Sequence, residues 1–387
     1  GSGNWSVSTN WSPGNVPDTT SENAVIGNGG TATLDAAFTI NNLALSSGTI
    51  NGAAELSLTG TGSTWTGGTM SGAGTTRVLT GGTFAINTGN PSLTNRNLAN
   101  AGTVNQAPPN YLTVTGTGGT LTNLSGGLWD FQNNTVFNVG GVWMFDNQAG
   151  ATLRKSTTSG TLPFNIPLTN AGTVDVDGGV FSIDSGGSAT GHFDLAAGST
   201  LKFNSNFTLN AGSTFSSTGL IHLASGTLTL ARGSAFAPAT NFSFTGGTLT
   251  GADDFNTAAG ITTTWTSGNM SGTGTTKVLA GGTLAINTGN PSLTTRNLSN
   301  AGTVNHAPPN YLTVTGTGGT LTNLSGGLWD FQNNTAFNVG GTWGFDNQAG
   351  ATLRKSTTAG TLSFGIPLTN AGTVDIAGGT FSLDSGG

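Results

Sequence analysis

Residues 65–187 recur as residues 265–387 at a constant offset of 200, without insertion or deletion, so the phrase Trp-Asp-Phe-Gln-Asn-Asn begins at Trp129 and again at Trp329. About nineteen of the 123 aligned positions differ. Such self-similarity predicts a repeat architecture, in which each segment buries its apolar face against the next rather than closing a core of its own. A shorter period runs inside each copy. Leu98 to Asn100, Leu121 to Asn123, Phe145 to Asn147 and Leu168 to Asn170 share an apolar-x-Asn phrase, and the duplicate repeats it from Leu298, Leu321, Phe345 and Leu368. The interval, roughly two dozen positions, is the length of one solenoid coil.

Between Leu98 and Thr120 the apolar residues Leu98, Val104, Leu112 and Val114 sit in short extended runs separated by Asn-Ala-Gly, Ala-Pro-Pro-Asn and Gly-Thr-Gly-Gly. Gly and Asn tolerate positive φ and turn the chain at corners. Runs such as 111–116, 180–184 and 227–231 alternate apolar and polar residues as half-buried strands do, and no amphipathic helix of ten residues is visible. Stacked coils lie about 4.8 Å apart, so the sequence predicts a hydrogen-bonded ladder of Asn100, Asn123, Asn147 and Asn170, matched by Asn300, Asn323, Asn347 and Asn370. The fold expected is all-β: a single-stranded parallel β-helix, or β-solenoid, with coils of about 23–24 residues. It is taken as right-handed, as most wide, irregular parallel β-helices are. A set of β-sandwich domains also yields short strands, but its hairpins do not echo one turn motif at this interval. The organisation expected is a lead-in and cap over 1–35, a first solenoid copy over 36–187, connecting coils over 188–264 and a second copy over 265–387.

Composition narrows the function. Charged residues are 7% of the chain, hydrophobic residues 34%, and the 65 Gly are about twice the usual share. A net charge of −6, with cations scattered except at Arg154–Lys155 and Arg354–Lys355, offers no basic stripe for nucleic acid. Without Cys there are no disulfides or thiolate metal sites, and no stretch is apolar for the roughly 18 residues a membrane span needs.

The stretch 3–35, with Trp5, then Asn10-Trp11-Ser12, Gly14-x-Val16-Pro17, the acidic Asp18 and a first strand at Val25-Ile26, resembles the lead-in of large secreted bacterial surface proteins. The remaining Gly-Gly-Thr-Leu and Asn-Ala-Gly-Thr-Val phrases resemble the passenger regions of autotransporters and filamentous-haemagglutinin-type adhesins. The resemblance implies export, a β-helical shaft and a place at the cell surface, although no translocator barrel or anchor is recognisable. Gly187 continues into a further coil whereas Gly387 closes the second copy, which predicts an open sheet edge that further chain or a second molecule covers.

Catalytic constellations are sparse. His306 occupies the place of Gln106, so that slot needs no titrating group, and no Gly-x-Ser-x-Gly elbow marks a nucleophile. Asp175 and Asp177 share a strand face, but their counterparts are Asp375 and Ala377; Asp253 and Asp254 point to opposite faces; Asp130 and Asp146 read equally well as turn caps. The Gly-Gly pairs lack the periodic Asp of calcium-binding solenoids. Thr-x-Thr occurs at 113–115, 115–117 and 120–122 but at no constant position in the repeating period, which argues against an ice-binding face.

The candidate surface-binding residues are Tyr111, Trp129, Asp130, Trp143, Tyr311, Trp329, Asp330 and Trp343: outward Trp rings stack on sugars, and Tyr follows a stiff Pro108-Pro109-Asn110 loop. Their alternative place is the interior of a wide coil, which is the favoured reading for the Trp residues. The function expected is a non-catalytic extracellular shaft, fibre subunit or adhesin without cofactor, associating with itself end to end or laterally. The alternatives are a glycan-binding adhesin that contacts a host or neighbouring cell surface, and a polysaccharide-degrading β-helix enzyme.

Overall fold

The computed structural model describes residues 2–107, 111–307 and 311–385. The chain forms two compact units that divide between Thr200 and Leu201. Both are parallel β-solenoids, with about 17 turns in all. Among the described residues the only helical segment is the 3-10 turn Ser8–Asn10.

In the first unit one face is a column of parallel strands, among them Thr83–Asn87, Thr103–Ala107, Leu128–Phe131, Thr152–Lys155 and Thr173–Val176. A second face carries Thr31–Thr33, Thr49–Asn51, Thr69–Ser71 and Ser92–Thr94. A third carries Phe38–Ile40, Leu56–Leu58, Thr75–Val78 and Asn97–Asn100. The second and third faces merge where the long strand Leu112–Asn123 pairs with both Ser92–Thr94 and Asn97–Asn100. The second unit repeats this arrangement, with Leu312–Asn323 as the long strand.

Alternation decides which side chains enter. Phe84 and Ile86, Leu98, Val104, Leu121 and Leu153 are fully buried, and the residues beside them in the strands Thr83–Asn87, Thr103–Ala107 and Thr152–Lys155 are only half-buried where they point outward. Removing each such apolar side chain from water is worth about 1.5–3 kcal/mol. The lead-in folds over the first coil: Gly3–Asn4 pairs with Ala32 and Thr33, and the buried Trp5 donates its indole N–H to the Pro17 carbonyl at 2.8 Å while packing edge-on against Trp11.

One expectation needs correction. The single coil length read from the sequence holds for Leu98, Leu121, Phe145 and Leu168, which are successive register partners, and for their copies from Leu298 to Leu368, but it does not hold for every coil. Thr31 pairs with Thr49 and Thr173 with His192, across shorter coils, whereas Val104 pairs with Trp129 across a longer one. Strand pairing constrains only the extended segments, so corners and bent strands absorb the difference in length.

Candidate functional site

The Asn side chains stand in single file. The Asn100 amide donates to Asn123 at 2.8 Å, Asn123 to Asn147 at 2.9 Å and Asn147 to Asn170 at 2.7 Å. The second copy repeats the file from Asn300 through Asn323 and Asn347 to Asn370 at 2.8, 2.9 and 2.7 Å. Each of the first two amides also reaches a corner carbonyl, Asn100 that of Leu128 and Asn123 that of Thr152. A buried amide is costly unless satisfied, and here the same bonds that satisfy it fix the corner's register.

The outward reading of the Trp residues is overturned. Trp129 and Trp329 are fully buried, and Trp143 and Trp343 are 3% and 4% exposed. Trp129 packs edge-on against Phe145 at 5.0 Å, and Phe131, Phe137 and Phe164 make mutual edge-to-face contacts at 5.9 to 6.0 Å. These rings fill the interior of the coils that carry them. Gly119 is Trp143's register partner and leaves room for its ring.

Asp130 and Asp330 lie on the outer face, in register with Asn105 and Arg154 and with Asn305 and Arg354, but neighbouring side chains leave them only 2% and 8% exposed. Asp130 accepts from Arg154 at 2.8 Å and from Gln132 at 3.2 Å. Burial pushes its carboxyl up, but those bonds and the Arg154 charge outweigh it and hold the pKa below the usual range. In the second copy Arg354 turns instead to Asp375, at 3.5 Å. Tyr111 and Tyr311 are exposed at 48% and 47%, while the Pro108–Asn110 loop and its copy at 308–310 lie outside the described residues.

Sequence reasoning missed the buried cations. Lys155 donates from Nζ to the Thr157 carbonyl at 2.6 Å, the Thr157 hydroxyl at 2.8 Å and the Gly178 carbonyl at 2.7 Å. Lys355 makes the corresponding bonds. Arg96 bridges coils through Thr76, Gly52, Ala54 and Thr75, and Arg296 does the same through Thr276, Ser271, Asp253 and Thr275. Burial lowers both arginines to about 10, so they stay charged at neutral pH. Alternation from Leu153 already directs Lys155 inward. These cations satisfy orphan corner carbonyls.

Asp175 lies between Arg154 and Asp194 in register, and burial, then the charges of Asp177 and Asp194, push its carboxyl up. Among the described residues no group of three His, Asp or Glu is placed to hold a metal ion. Glu22 is held down to about 2, first by the Asp18 backbone N–H and then by Thr19 and Asn15. It lines a cleft of about 370 Å³ between lead-in and first coil, with Trp11, Pro13, Asn23 and Val25.

The outer Thr residues also need correction, because five successive strands carry them at fixed positions. Thr31, Thr49, Thr69, Ser92 and Thr113 are consecutive register partners. Thr33 pairs with Asn51, and Ser71, Thr94 and Thr115 are likewise in register. Successive coils differ in length, which scatters these positions along the sequence and hides the regularity. No protein-family model matches the chain, and no curated protein sequence matches it.

Proposed function

We propose that this chain is a non-catalytic, exported β-solenoid of a bacterial cell surface, serving as an adhesin shaft or fibre subunit. The observation that carries the reading is the unbroken hydrogen-bonded file from Asn100 to Asn170 and its copy. The Asn amides are turned inward and bonded from coil to coil, which stiffens the stack. The surface location rests on the likeness of residues 3–35 to the lead-in of secreted bacterial surface proteins, and of the later phrases to autotransporter and filamentous-haemagglutinin-type adhesins. Low charge limits repulsion between neighbouring copies, so self-association is the partner reading that accompanies it.

Protease shaving of intact source cells tests location: release of peptides from this chain supports the proposal, and protection until lysis overturns it. Incubation with pectin-like, alginate-like and neutral polysaccharides tests the non-catalytic part. Release of new reducing ends would restore the enzyme alternative. A glycan-binding adhesin is the second reading because Tyr111 and Tyr311 are exposed at equivalent places of the two copies. Loss of glycan retention in a Tyr111→Ala/Tyr311→Ala variant supports it, and retention unchanged from wild type removes it.

A further inference from the structure

The second face of the first unit presents a two-dimensional mesh of hydroxyl groups. Within each strand an inward residue separates the two outward ones: Ile50 lies between Thr49 and Asn51, Met70 between Thr69 and Ser71, and Leu93 between Ser92 and Thr94. Side chains one coil apart are about 4.8 Å apart, and those two residues apart along a strand are about 6.6 Å apart. Nine of the ten positions in the five strands are Thr or Ser, the other is Asn51, and none is charged or aromatic. We propose that this face binds ice.

The spacing between coils is close to the shorter oxygen repeat on a prism face of hexagonal ice, and the spacing along the strand falls somewhat short of the longer one. Thr adds a methyl group beside each hydroxyl, which lets the surface order water without dissolving it into a charged hydration shell. Among the described residues, the hydroxyls of Thr31, Thr49, Thr69, Ser92 and Thr113 make no intramolecular hydrogen bond, and they are free to enter a water lattice. The companion file is held by its own contacts: Thr94 and Thr115 hydroxyls bond each other at 2.8 Å, and Ser71 bonds the Ile50 carbonyl at 3.3 Å. Side chains fixed before binding lose less entropy on contact with a solid.

The second unit carries a related but poorer surface. There Thr227, Thr248, Asn269, Ser292 and Thr313 are register partners in that order. Asn269 accepts bonds from both Ser292 and Thr294, each at 3.0 Å, so Ser292, whose counterpart Ser92 has a free hydroxyl, has its own hydroxyl tied down. Thr69, the counterpart of Asn269 in the first unit, makes no such bonds. Crystalline polysaccharide is the competing solid partner. It is disfavoured because no aromatic ring stands in either file to stack on sugar faces.

The test is partition of the purified full chain into slowly grown polycrystalline ice, alongside inhibition of ice recrystallisation. The wild type is expected in the ice fraction. Thr49→Lys/Thr69→Lys is expected to lose most of that partition, and adding Thr227→Lys/Thr248→Lys to abolish it. Thr83→Lys/Thr103→Lys, on another face, is expected to behave as wild type. Circular dichroism checks the fold of each variant, and Thr69→Tyr serves as a bulky substitution with high strand propensity if the Lys pair misfolds. Exclusion of the wild type from ice, or equal incorporation of the folded Thr49→Lys/Thr69→Lys variant, overturns the proposal. So does sedimentation with microcrystalline cellulose or chitin together with exclusion from ice.

Discussion

The two copies contain a built-in experiment at positions 106 and 306. In the first, Gln106 accepts a hydrogen bond from the Trp129 indole at 3.1 Å and donates to the Val136 carbonyl at 2.8 Å. In the second, His306 packs tilted against Phe331 with ring centroids 4.7 Å apart, and neither its nitrogens nor the Trp329 indole N–H has a partner in hydrogen-bond geometry. Burial pushes His306 down to about 3, and the smaller opposing pull of the Ala336 backbone does not offset it. The folded-state pKa therefore lies below the unfolded one. Stability is complete above the unfolded value of about 6.5 and falls as the pH drops towards 3, because the unfolded chain then takes up the proton first. At pH 5 the difference amounts to about 2 kcal/mol, against almost nothing at pH 7.5. His306→Gln removes this acid sensitivity and, by supplying the missing bonds, adds about 1–2 kcal/mol at neutral pH. Hydrogen exchange read by mass spectrometry, corrected for intrinsic rates, compares the strand Thr303–Ala307 with its internal control Thr103–Ala107. Between pH 7.5 and 5.0 only the former should lose protection, and His306→Gln should restore it. Equal pH dependence of the two strands in the wild type would refute the reasoning.

Trp129→Ala should lower stability by about 3–5 kcal/mol in urea denaturation, because it empties a core site, and should leave any glycan retention unchanged. Lys155→Met leaves the Thr157 and Gly178 carbonyls without their ammonium donor and should cost about 1.5–3 kcal/mol, read as an earlier urea midpoint. Gly119→Ala places a Cβ 2.4 Å from the Trp143 ring; the resulting overpacking should cost about 1–3 kcal/mol, visible in the melting temperature.

The coil and its Asn file were legible because a polar residue recurring in one place of an apolar phrase has few positions open to it other than a corner. The sides taken by Trp129 and Trp143 were harder to read. Period-two alternation relates neighbours within a strand, but the width of the coil that receives them depends on pairing with strands a full turn away. The Thr files were hidden for a related reason: a constant period cannot align Thr31, Thr49, Thr69 and Ser92, whose spacing is set by corners of different length. Lys155 was overlooked because a charged residue beside Arg154 reads as solvated, yet alternation from Leu153 turns it inward to the corner carbonyls.

In-register stacking can be tested directly by cross-linking across one coil. Thr122 and Asp146 flank the Asn file and are Cα partners, whereas Met144 pairs with Thr120 two residues away. Partners in adjacent strands lie within the Cα separation a disulfide spans, about 4.4–6.8 Å, and a two-residue offset exceeds it. Oxidised Thr122→Cys/Asp146→Cys, analysed by mass spectrometry, should carry an intramolecular disulfide, while Thr122→Cys/Met144→Cys keeps free thiols. Closure of the offset pair with the matched pair left open would contradict the stacked coil.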